Sequence, residues 1–535
     1  MNPHLLTILI FMPLAAAVVM FFVPSTKRAA FRSIALATGI VQLIWSGAMY
    51  CLFHPKGAGI TEGRLYQFVD HQPWIRLDMG SLGRLEIDYF IGVDGLSMPL
   101  IFLTALVMLV AIGASWNIQK STKGYFVLLM ILDMAVMGVF SALDFFLFYI
   151  FYELMLLPLY FLIGIWGGAR REYAAIKFFL YTLFGSVFML LVIVGLYFSV
   201  NNPETGAHTF NLLHMMDPAN YVPGSVFSVS ADQTLFGVPA RLLGFIVLFI
   251  AFAIKVPIVP LHTWLPDAHV EAPTPISIIL AGILLKVGGY GILRICLSIF
   301  PDAAVQSAWW LGLIGVVSIV YGALVALAQR DLKRMIAYSS VSHMGFVLLG
   351  ISSLTVEGTA GAVFQLISHG FLSAALFFLV GMLYDRVHDR HIYHFRGLAS
   401  LMPRFTVFVA IAFFASLGLP GFSAFIGEAF VIIGAFNAES VHGLLPRWMA
   451  IAGSVGILLS AAYFLWTLQR MFFGQTRLKG GEAWIPELTD ASTRETLIML
   501  PMLVLALLLG VYPALAFDKI NASVSALVEL VSKAI

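Results

Sequence analysis

Four charged side chains lie inside apolar stretches of this sequence, where a helix that crosses a bilayer would bury them. Glu153 lies in LFYIFYELMLLPLYFLIGIW, Lys286 in AGILLKVGGYG and Glu428 in GLPGFSAFIGEAF, while Lys255 precedes two prolines in AFAIKVPIVP. Each charge costs at least about 3 kcal/mol at the centre of a membrane helix unless it is paired or hydrated. Two charges of each sign therefore predict pairing across helices.

Two histidines extend this set. Gln365, His369 and Ser373 follow one another at i, i+4 and i+8 in FQLISHGFLSAALF, and Ser339 precedes His343 by four residues in AYSSVSHMG. This spacing predicts a polar stripe on each helix, facing the interior of the bundle. A single interior histidine is usually a hydrogen-bonded core residue, but histidine titrates near neutrality. A row of Glu, Lys and His across a membrane predicts a proton relay.

Helix-breaking residues accompany two of the charges. Pro257 and Pro260 follow Lys255, and GLPG at 418–421 comes about two turns before Glu428. Interrupted helices at membrane depth are tolerated where they line a hydrated cavity, and paired interruptions in two halves of a chain indicate repeats with a transport site at each break. The alternative is an ordinary packing kink.

The composition is that of an integral membrane protein. The chain has 535 residues, of which 60% are hydrophobic and 11% charged, and its mean hydropathy is +0.95. Apolar runs of about 20 residues predict transmembrane helices. The predicted spans, numbered 1 to 14, are 3–24, 31–53, 90–114, 122–141, 143–164, 174–199, 240–260, 275–299, 307–329, 333–352, 358–384, 403–434, 449–473 and 496–517.

The loops between the spans differ in charge. Lys and Arg are concentrated in loops 1, 3, 5, 9, 11 and 13, so the odd loops are predicted to be cytoplasmic and both termini periplasmic. Loop 2 mixes both signs and is predicted to be a folded external loop of neutralising pairs. Loop 7 is the exception, because it offers Asp267 and Glu271 without a positive charge. Topology gives no explanation for this.

Other candidates are weaker. Asp144 is expected to cap a helix, and Asp133 could belong either to the relay or to a structural pair. His262 and His269 match no metal-ligand spacing, so no metal site is assigned. The two cysteines cannot ligate an iron–sulfur cluster. Nucleic acid is not an expected partner, because the net charge is only +2.

Three stretches resemble a known family. AIKVPIVPLHTWLPDAHVEAPTPISIILAGILLKVGGYGILR, RDLKRMIAYSSVSHMG and QLISHGFLSAALFFLVG resemble the antiporter-like membrane subunits of proton-translocating NADH–quinone oxidoreductase, respiratory complex I. Multisubunit sodium/proton antiporters share these motifs. Glu428 stands where subunits L and N and the antiporter proteins usually carry lysine. Three related subunits of complex I share the motifs, and the acid at this position favours the one that is neither L nor N.

The resemblance implies an all-α membrane fold of about fourteen helices. Two inverted five-helix repeats, spans 4–8 and 9–13, would each contain one discontinuous helix, the seventh and the twelfth. The implied domains are 1–114, 122–299, 307–473 and 496–535. Glu153 and Lys255 would form the family's glutamate–lysine pair, Lys286 would be the central lysine and Glu428 the acid of the second half-channel. His343 and His369 would link the two halves.

The resemblance also implies partners and a location. FMN, iron–sulfur clusters and quinone would belong to other subunits, and the expected neighbours are the L-type and N-type subunits. The chain would be a translocase subunit of a bacterial inner membrane, without redox catalysis of its own. Two other interpretations stay open: a sodium/proton antiporter subunit, and a passive scaffold whose buried charges only stabilise packing.

Overall fold

The computed structural model describes residues 4–55, 66–78, 80, 84–229 and 233–534, and most of them lie in a bundle of helices. Thirteen helices in this part of the chain are long and apolar enough to cross a bilayer. Helices suit this position because all their backbone hydrogen bonds are internal. These helices are Leu5–Phe22, Arg28–Leu52, Met98–Asn117, Thr122–Ser141, Phe145–Trp166, Arg171–Ser199, Thr274–Leu297, Pro301–Leu327, Leu332–Ser352, Val356–Val387, Ser423–Val441, Arg447–Phe472 and Thr493–Val511.

Two spans are divided. Span 7 consists of Ala240–Lys255 and Trp264–Glu271, and span 12 consists of Pro403–Ser416 and Ser423–Val441. Counting span 7, the bundle has the fourteen spans predicted, and the interruptions fall in the two spans predicted. Each divided span is the fourth of the five helices assigned to its repeat.

Polar caps fix where several spans begin. The Asp144 carboxylate accepts a hydrogen bond from the Leu147 N–H at 2.9 Å, which confirms it as the N-cap of span 5. At the start of span 14, Ser492 and Glu495 form a reciprocal capping box. Each such cap satisfies backbone donors that the first turn leaves free, and its loss costs about 1 kcal/mol.

Five predicted boundaries differ from the structure by more than four residues: the end of span 7 (260 against Glu271), the start of span 9 (307 against Pro301), the end of span 12 (434 against Val441), the start of span 3 and the end of span 14. The last two have a physical reason. Span 3 was expected from residue 90, but residues 90–93 end a β-strand and the helix begins at Met98. Span 14 was expected to reach residue 517, but it ends at Val511 and is followed by a separate helix, Ala514–Ser532, the terminal helix. Hydropathy reports apolar character and not winding, so it merges an apolar strand or an amphipathic helix with the span beside it.

A β-hairpin forms most of the described part of loop 2. Strands β1 (Gln67–Asp78) and β2 (Arg84–Val93) pair antiparallel. Arg76 lies 2.6 Å from Asp88 and 3.6 Å from Glu86. These pairs agree with the predicted neutralisation. The charged residues Lys56, Glu62 and Arg64 lie outside the described residues.

The hairpin is held by hydrogen bonds from both of its strands and from span 1. Burial alone raises the pKa of the Asp88 carboxyl, but hydrogen bonds from His71 and Arg76 hold this pKa below its ordinary value. Asp70 accepts a hydrogen bond from Thr7 of span 1 at 2.7 Å. The remaining short elements are Leu212–Met216, Pro218–Asn220, Thr234–Leu235, Val238–Pro239, Ile392–His394, Leu398–Leu401 and Gly481–Trp484.

A buried ion pair connects the hairpin to the interior. The Arg294 guanidinium of span 8 contacts the Asp94 carboxylate just after β2, and both side chains are fully buried. Arg294 also donates hydrogen bonds to the hydroxyl groups of Tyr66 at 2.7 Å and Tyr290 at 3.2 Å. This cluster fixes the start of span 3 against span 8.

We expect Asp94→Ala to destabilise the subunit by about 3–5 kcal/mol, because it leaves the Arg294 charge buried without its partner. The thermal midpoint of the purified complex, and the amount of this chain that it retains, measure the effect. The double variant Asp94→Asn, Arg294→Leu should lose less stability than Asp94→Ala, because no unpaired charge remains. An unchanged midpoint in Asp94→Ala would contradict this account of the cluster.

The acidic residues Asp267 and Glu271, which were predicted in loop 7, lie in the second half of span 7, where neighbouring basic residues pair with them. Asp267 lies 2.8 Å from Lys177 and 3.3 Å from Arg334. Glu271 accepts a hydrogen bond from the backbone N–H of Arg170 at 2.9 Å. This segment therefore needs no positive charge of its own, since basic residues beside loops 5 and 9 contact its two carboxylates.

Spans 8, 10 and 11 form the interior of the bundle, here called the spine. The most apolar 18-residue stretches of spans 8 and 11 are completely buried, and that of span 10 is 94% buried. Because lipid does not reach these helices, they can carry polar side chains that a lipid-facing helix cannot. The site is built on them.

Candidate functional site

Five of the six predicted relay residues are buried in or beside the spine. Lys286, His343 and His369 lie on spans 8, 10 and 11, while Lys255 and Glu428 lie on the divided spans 7 and 12. Each of these five side chains is at most 5% exposed. The sixth residue, Glu153 on span 5, is only partly buried.

Lys286 lies where the winding of span 8 changes. Two π-helical segments, Leu280–Leu284 and Ile292–Leu297, flank the α-helical turns that carry it. Its ammonium donates a hydrogen bond to the Ala281 carbonyl and lies 2.7 Å from Nδ1 of His369. π-Helical turns are rare and frequently occur at functional sites. Here the ammonium of Lys286 donates to the Ala281 carbonyl, which belongs to the first π-helical segment.

Two glycines set the distance between spans 8 and 11. A Cβ atom on Gly282 would lie 3.2 Å from the Gly370 carbonyl oxygen, and one on Gly370 would lie 3.0 Å from the Gly282 oxygen. Small residues allow membrane helices to approach this closely. The approach brings Lys286 and His369, which lie on the same two helices, within hydrogen-bonding distance.

The two histidines continue the row from span 11 to span 10. The ring centroids of His343 and His369 are 5.6 Å apart. The predicted stripe residues Ser339, Gln365 and Ser373 line a cavity of about 10 Å³ beside both rings. A space of about 10–15 Å³ is the smallest that holds one water molecule. The two stripes, which their spacing predicted on the inward faces of their helices, meet at a site of single-water size.

Glu428 ends the row on span 12. Its Oε1 atom lies 3.1 Å from Nδ1 of His343, which can donate a hydrogen bond to it. The break in span 12 comes close on the other side, because a Cβ atom on Gly418 would lie 2.6 Å from Oε2 of Glu428. Gly418 has a φ of +79°, which favours glycine. The interruption thus leaves room for the carboxylate.

Lys255 is the last residue of the first half of span 7. Its ammonium lies 4.7 Å above the ring of Tyr152 and 5.7 Å from that of Phe178. It has no hydrogen-bond partner among the residues that the structure describes. A positive charge at a helix C-terminus is favoured by the helix dipole, and aromatic faces attract cations. Both effects support a buried lysine here.

The implied pair of Glu153 and Lys255 is not a direct contact. Oε1 of Glu153 is without a hydrogen-bond partner within the described part of the chain, and the carboxylate bonds instead with Ser186. The two charges still interact electrostatically. Among the six predicted relay residues, the side chains that pair directly are Lys286 with His369 and His343 with Glu428.

A large cavity lies at the end of the bundle that carries loops 5, 7 and 9. It has a volume of about 540 Å³ and is called the vestibule here; Glu271, Lys333, Asp385 and Glu495 are among its polar lining residues. Lys333 is 3% exposed and donates a hydrogen bond to the Ala272 carbonyl at 2.6 Å. Sequence reasoning missed this lysine, because its basic neighbours made it resemble an ordinary topology-determining charge.

His269 directly precedes Val270, one of the residues that line the vestibule. The histidine is fully buried and stacks on Phe377 with ring centroids 4.5 Å apart. Neither ring nitrogen has a hydrogen-bond partner in the described residues, and the ring lies within electrostatic range of both Lys333 and Lys286. Sequence analysis considered His269 only as a metal ligand.

Asp133, which the sequence left open between the relay and a structural pair, forms a hydrogen bond with Gln42. Its Oδ1 atom accepts a hydrogen bond from Nε2 of Gln42 on span 2 at 3.2 Å, and its side chain is fully buried. This contact ties span 4 to span 2, away from the row. His262 packs its ring against Tyr321 and Tyr338. Neither residue joins the row.

The arrangement brings together groups that accept and release protons. Direct contacts and ring packing connect Lys286, His369, His343 and Glu428 in this order, and His269 lies within electrostatic range of both Lys286 and the vestibule residue Lys333. Lysine, histidine and glutamate each exchange a proton without forming a covalent intermediate, and histidine can accept on one nitrogen and donate from the other. Such a row can pass protons across the interior when water bridges its longer gaps.

Family models match most of the chain. The family described as "NADH:quinone oxidoreductase/Mrp antiporter, TM" matches residues 142–463, which include all six predicted relay residues. A second model, "NADH-ubiquinone oxidoreductase chain 4, amino terminus", matches residues 78–140. The fold is that of an antiporter-like membrane subunit, and the chain belongs to the NADH:quinone oxidoreductase/Mrp antiporter family.

Two relatives of known name align with almost the full length of this chain. NADH-quinone oxidoreductase subunit M of Rhodobacter capsulatus is 40% identical over 531 residues, which are 98% of this chain and 96% of that protein. NADH-ubiquinone oxidoreductase chain 4 of Chondrus crispus is 37% identical and covers 99% of this chain and 98% of its own length.

Solved structures share the fold. A chain of respiratory complex I from Thermus thermophilus with bound NADH superposes with a TM-score of 0.80 and 27% identity, covering 98% of this chain and 99% of that one. The Mrp complex from Dietzia sp. DQ12-45-1b contains a chain with a TM-score of 0.78 at 20% identity, covering 99% and 100%. At 20% identity, the similarity to the Mrp chain concerns the fold alone.

Proposed function

We propose that this chain is the M-type proton-translocating subunit in the membrane arm of an NADH–quinone oxidoreductase. The observation that carries the proposal is the continuous row of buried titratable side chains from Lys286 through His369 and His343 to Glu428. Buried ionisable groups inside a membrane are costly and serve function by default. The similarity to subunit M of Rhodobacter capsulatus supports the assignment to this complex.

In this proposal protons enter from the vestibule and pass along the row. Lys333 and His269 receive them, Lys286 and His369 carry them across the spine, and His343 delivers them to Glu428. The charge of Glu153 tunes the proton affinity of Lys255 through space, because the energy of an ionised group depends on the charges near it. A change in that interaction shifts how readily Lys255 holds its proton. In this proposal the change is passed on to Lys286, the other lysine of the first half.

Backbone packing supports communication between the two lysines. A Cβ atom on Gly288 would lie 2.7 Å from the Val256 backbone nitrogen, so span 8 meets span 7 at the break that follows Lys255. Gly288 is two residues after Lys286. A movement of the broken end of span 7 would therefore be felt directly by the segment that carries the central lysine.

Redox chemistry belongs to other subunits in this proposal. Cys51 is exposed on span 2 and Cys296 is buried in span 8, so the two thiols do not form a cluster-ligating set. FMN, the iron–sulfur clusters and quinone would be held elsewhere, and the expected membrane-arm neighbours are L-type and N-type subunits. The charge distribution supports cytoplasmic odd loops and periplasmic termini. The similarity to a bacterial respiratory subunit supports a bacterial inner membrane.

The four predicted domains follow from this assignment. Residues 122–299 and 307–473 would be the two half-channels, each with its divided helix as the fourth of five. Residues 1–114 and 496–535 would support them. The breaks in spans 7 and 12 support the division, because each occurs beside a buried charge of its own half.

The variant His269→Phe tests the proposed uptake route. Phenylalanine keeps an aromatic ring to stack on Phe377 but cannot carry a proton, so we expect proton translocation to fall severalfold while the complex remains assembled. NADH-driven proton uptake into inside-out membrane vesicles measures the effect. His442→Phe is a matched control, because His442 lies at the end of span 12 outside the row.

Three outcomes separate the hypotheses. Unchanged proton uptake in His269→Phe would contradict the uptake route. Sodium-dependent proton exchange that needs no NADH would instead support the antiporter subunit. Normal uptake in every row variant, combined with poor assembly, would support the passive scaffold.

A further inference from the structure

An apolar cavity of about 410 Å³ opens between spans 2 and 14, away from the row. Phe102 and Leu106 of span 3 and Phe371 of span 11 form its floor, and Leu515 of the terminal helix covers one end. Leu508 and Leu515 at its edge are 42% and 40% exposed. Since these helices cross the bilayer, the opening faces the hydrocarbon of the membrane.

A positive charge stands at the end of this cavity nearest the terminal helix. The Lys519 ammonium donates a hydrogen bond to the Phe53 carbonyl at 2.6 Å, just beyond the end of span 2, and lies 5.6 Å from the ring of Tyr50. Tyr50 lines the cavity and donates its hydroxyl to the Leu515 carbonyl at 2.8 Å. A lysine has three N–H donors, so further acceptors can bind beside Phe53.

The cavity is too small to enclose a helix of a neighbouring subunit. A helix is about 10 Å in diameter and rises about 5.4 Å per turn, so 410 Å³ would hold only about one turn. The volume lies within the range of roughly 300–1,000 Å³ that is typical of small-ligand sites. A flexible hydrocarbon chain fits such a space, and burying its methylene groups is favourable.

We propose that this cavity binds one phospholipid, with an acyl chain inside it and the phosphate at Lys519. The apolar lining matches the chain, and the ammonium at membrane-surface level matches the phosphate. The bound lipid would fill the gap between spans 2 and 14 and connect both to the terminal helix. This site is independent of the proposed proton route.

Cys51 provides a direct probe of occupancy. It lines the cavity and is exposed, whereas Cys296, the other cysteine of the chain, is buried. The purified complex is stripped of lipid in detergent, treated with N-ethylmaleimide, and analysed by peptide mass spectrometry for modification of Cys51. We expect added phosphatidylglycerol to slow the modification severalfold. Diacylglycerol with the same acyl chains should protect far less, because it lacks the phosphate.

Two lysine variants on the terminal helix complete the test. Lys519→Gln keeps a donor for the Phe53 carbonyl but removes the charge, so protection by phosphatidylglycerol should be lost. Lys533→Gln should leave protection intact, because Lys533 is 72% exposed and pairs with Glu529 on the same helix. Equal protection by both lipids, or the same loss in both variants, would overturn the role of Lys519. A Cys51 that stays unreactive after lipid removal would mean that a neighbouring subunit covers the cavity, which would overturn the proposal.

Discussion

Replacing Lys286 by alanine is expected to lower NADH-driven proton translocation by at least about tenfold, which corresponds to a barrier increase of only ~1.4 kcal/mol. Lys286 is fully buried and links the Ala281 carbonyl to His369, so alanine removes the only titratable contact that His369 makes on span 8 among the described residues. Carrying a proton across that gap without an ionisable group costs several kcal/mol in a low-dielectric interior. Proton uptake by vesicles, normalised to assembled complex, measures the loss.

Lys286→Arg is expected to impair translocation less than Lys286→Ala, because arginine keeps a cation and donors for the Ala281 carbonyl. Lys479→Ala is the control, because Lys479 is an exposed residue in loop 13. If Lys286→Ala and Lys286→Arg both pump at the normal rate, Lys286 does not belong to the path.

The second large effect is expected for Glu428→Gln. The amide has nearly the same shape as the carboxylate and can still accept a hydrogen bond from Nδ1 of His343, but it cannot take up a proton. Translocation should therefore fall about tenfold or more, since ~1.4 kcal/mol on the barrier is enough for that factor. Packing around Gly418 and His343 should be preserved, so the amount of assembled complex should stay normal.

Glu439→Gln is the matched control for this variant. Glu439 lies on the same half of span 12 but is 48% exposed and pairs at 4.0 Å with Arg447. Its neutralisation should leave both assembly and translocation unchanged. Normal translocation by Glu428→Gln would contradict a proton-carrying role and favour a passive scaffold of buried charges.

Much of the architecture could be predicted from sequence because hydropathy and helix breakers act locally. The apolar runs predicted fourteen spans, and prolines and glycines predicted which two are divided. The i, i+4 spacing of Ser339 with His343 and of Gln365 with His369 predicted an inward-facing polar stripe on each helix, and the structure brings the two stripes to one small cavity. These features follow from helix periodicity, which needs no knowledge of the neighbouring helices.

Contacts between distant parts of the chain could not be predicted in the same way. Asp94 and Arg294 are 200 residues apart, and nothing in either local sequence indicates that they pair. Lys333 carries the same charge as its exposed neighbours, and only the packing of span 10 buries it. The strand at residues 90–93 is as apolar as a helix, so its winding depends on its partner strand.

Residue types and charges alone could not predict whether Glu153 and Lys255 form a direct hydrogen bond. Both lie at similar depth on neighbouring spans, yet Lys255 turns towards Tyr152 and Phe178 while Glu153 bonds with Ser186. The two residues therefore interact through space and not by a hydrogen bond. A charge that acts in this way can tune a lysine without trapping its proton.

The most direct test of the proton relay uses Glu153→Gln. Membrane vesicles that carry the native chain or this variant are compared for NADH-driven quinone reduction and proton uptake, with Glu172→Gln, an exposed acid at the start of span 6, as the control. The account predicts that both activities fall in Glu153→Gln while the complex stays assembled and the control behaves normally. Normal quinone reduction together with normal proton uptake in Glu153→Gln would contradict the coupling of this charge to the relay.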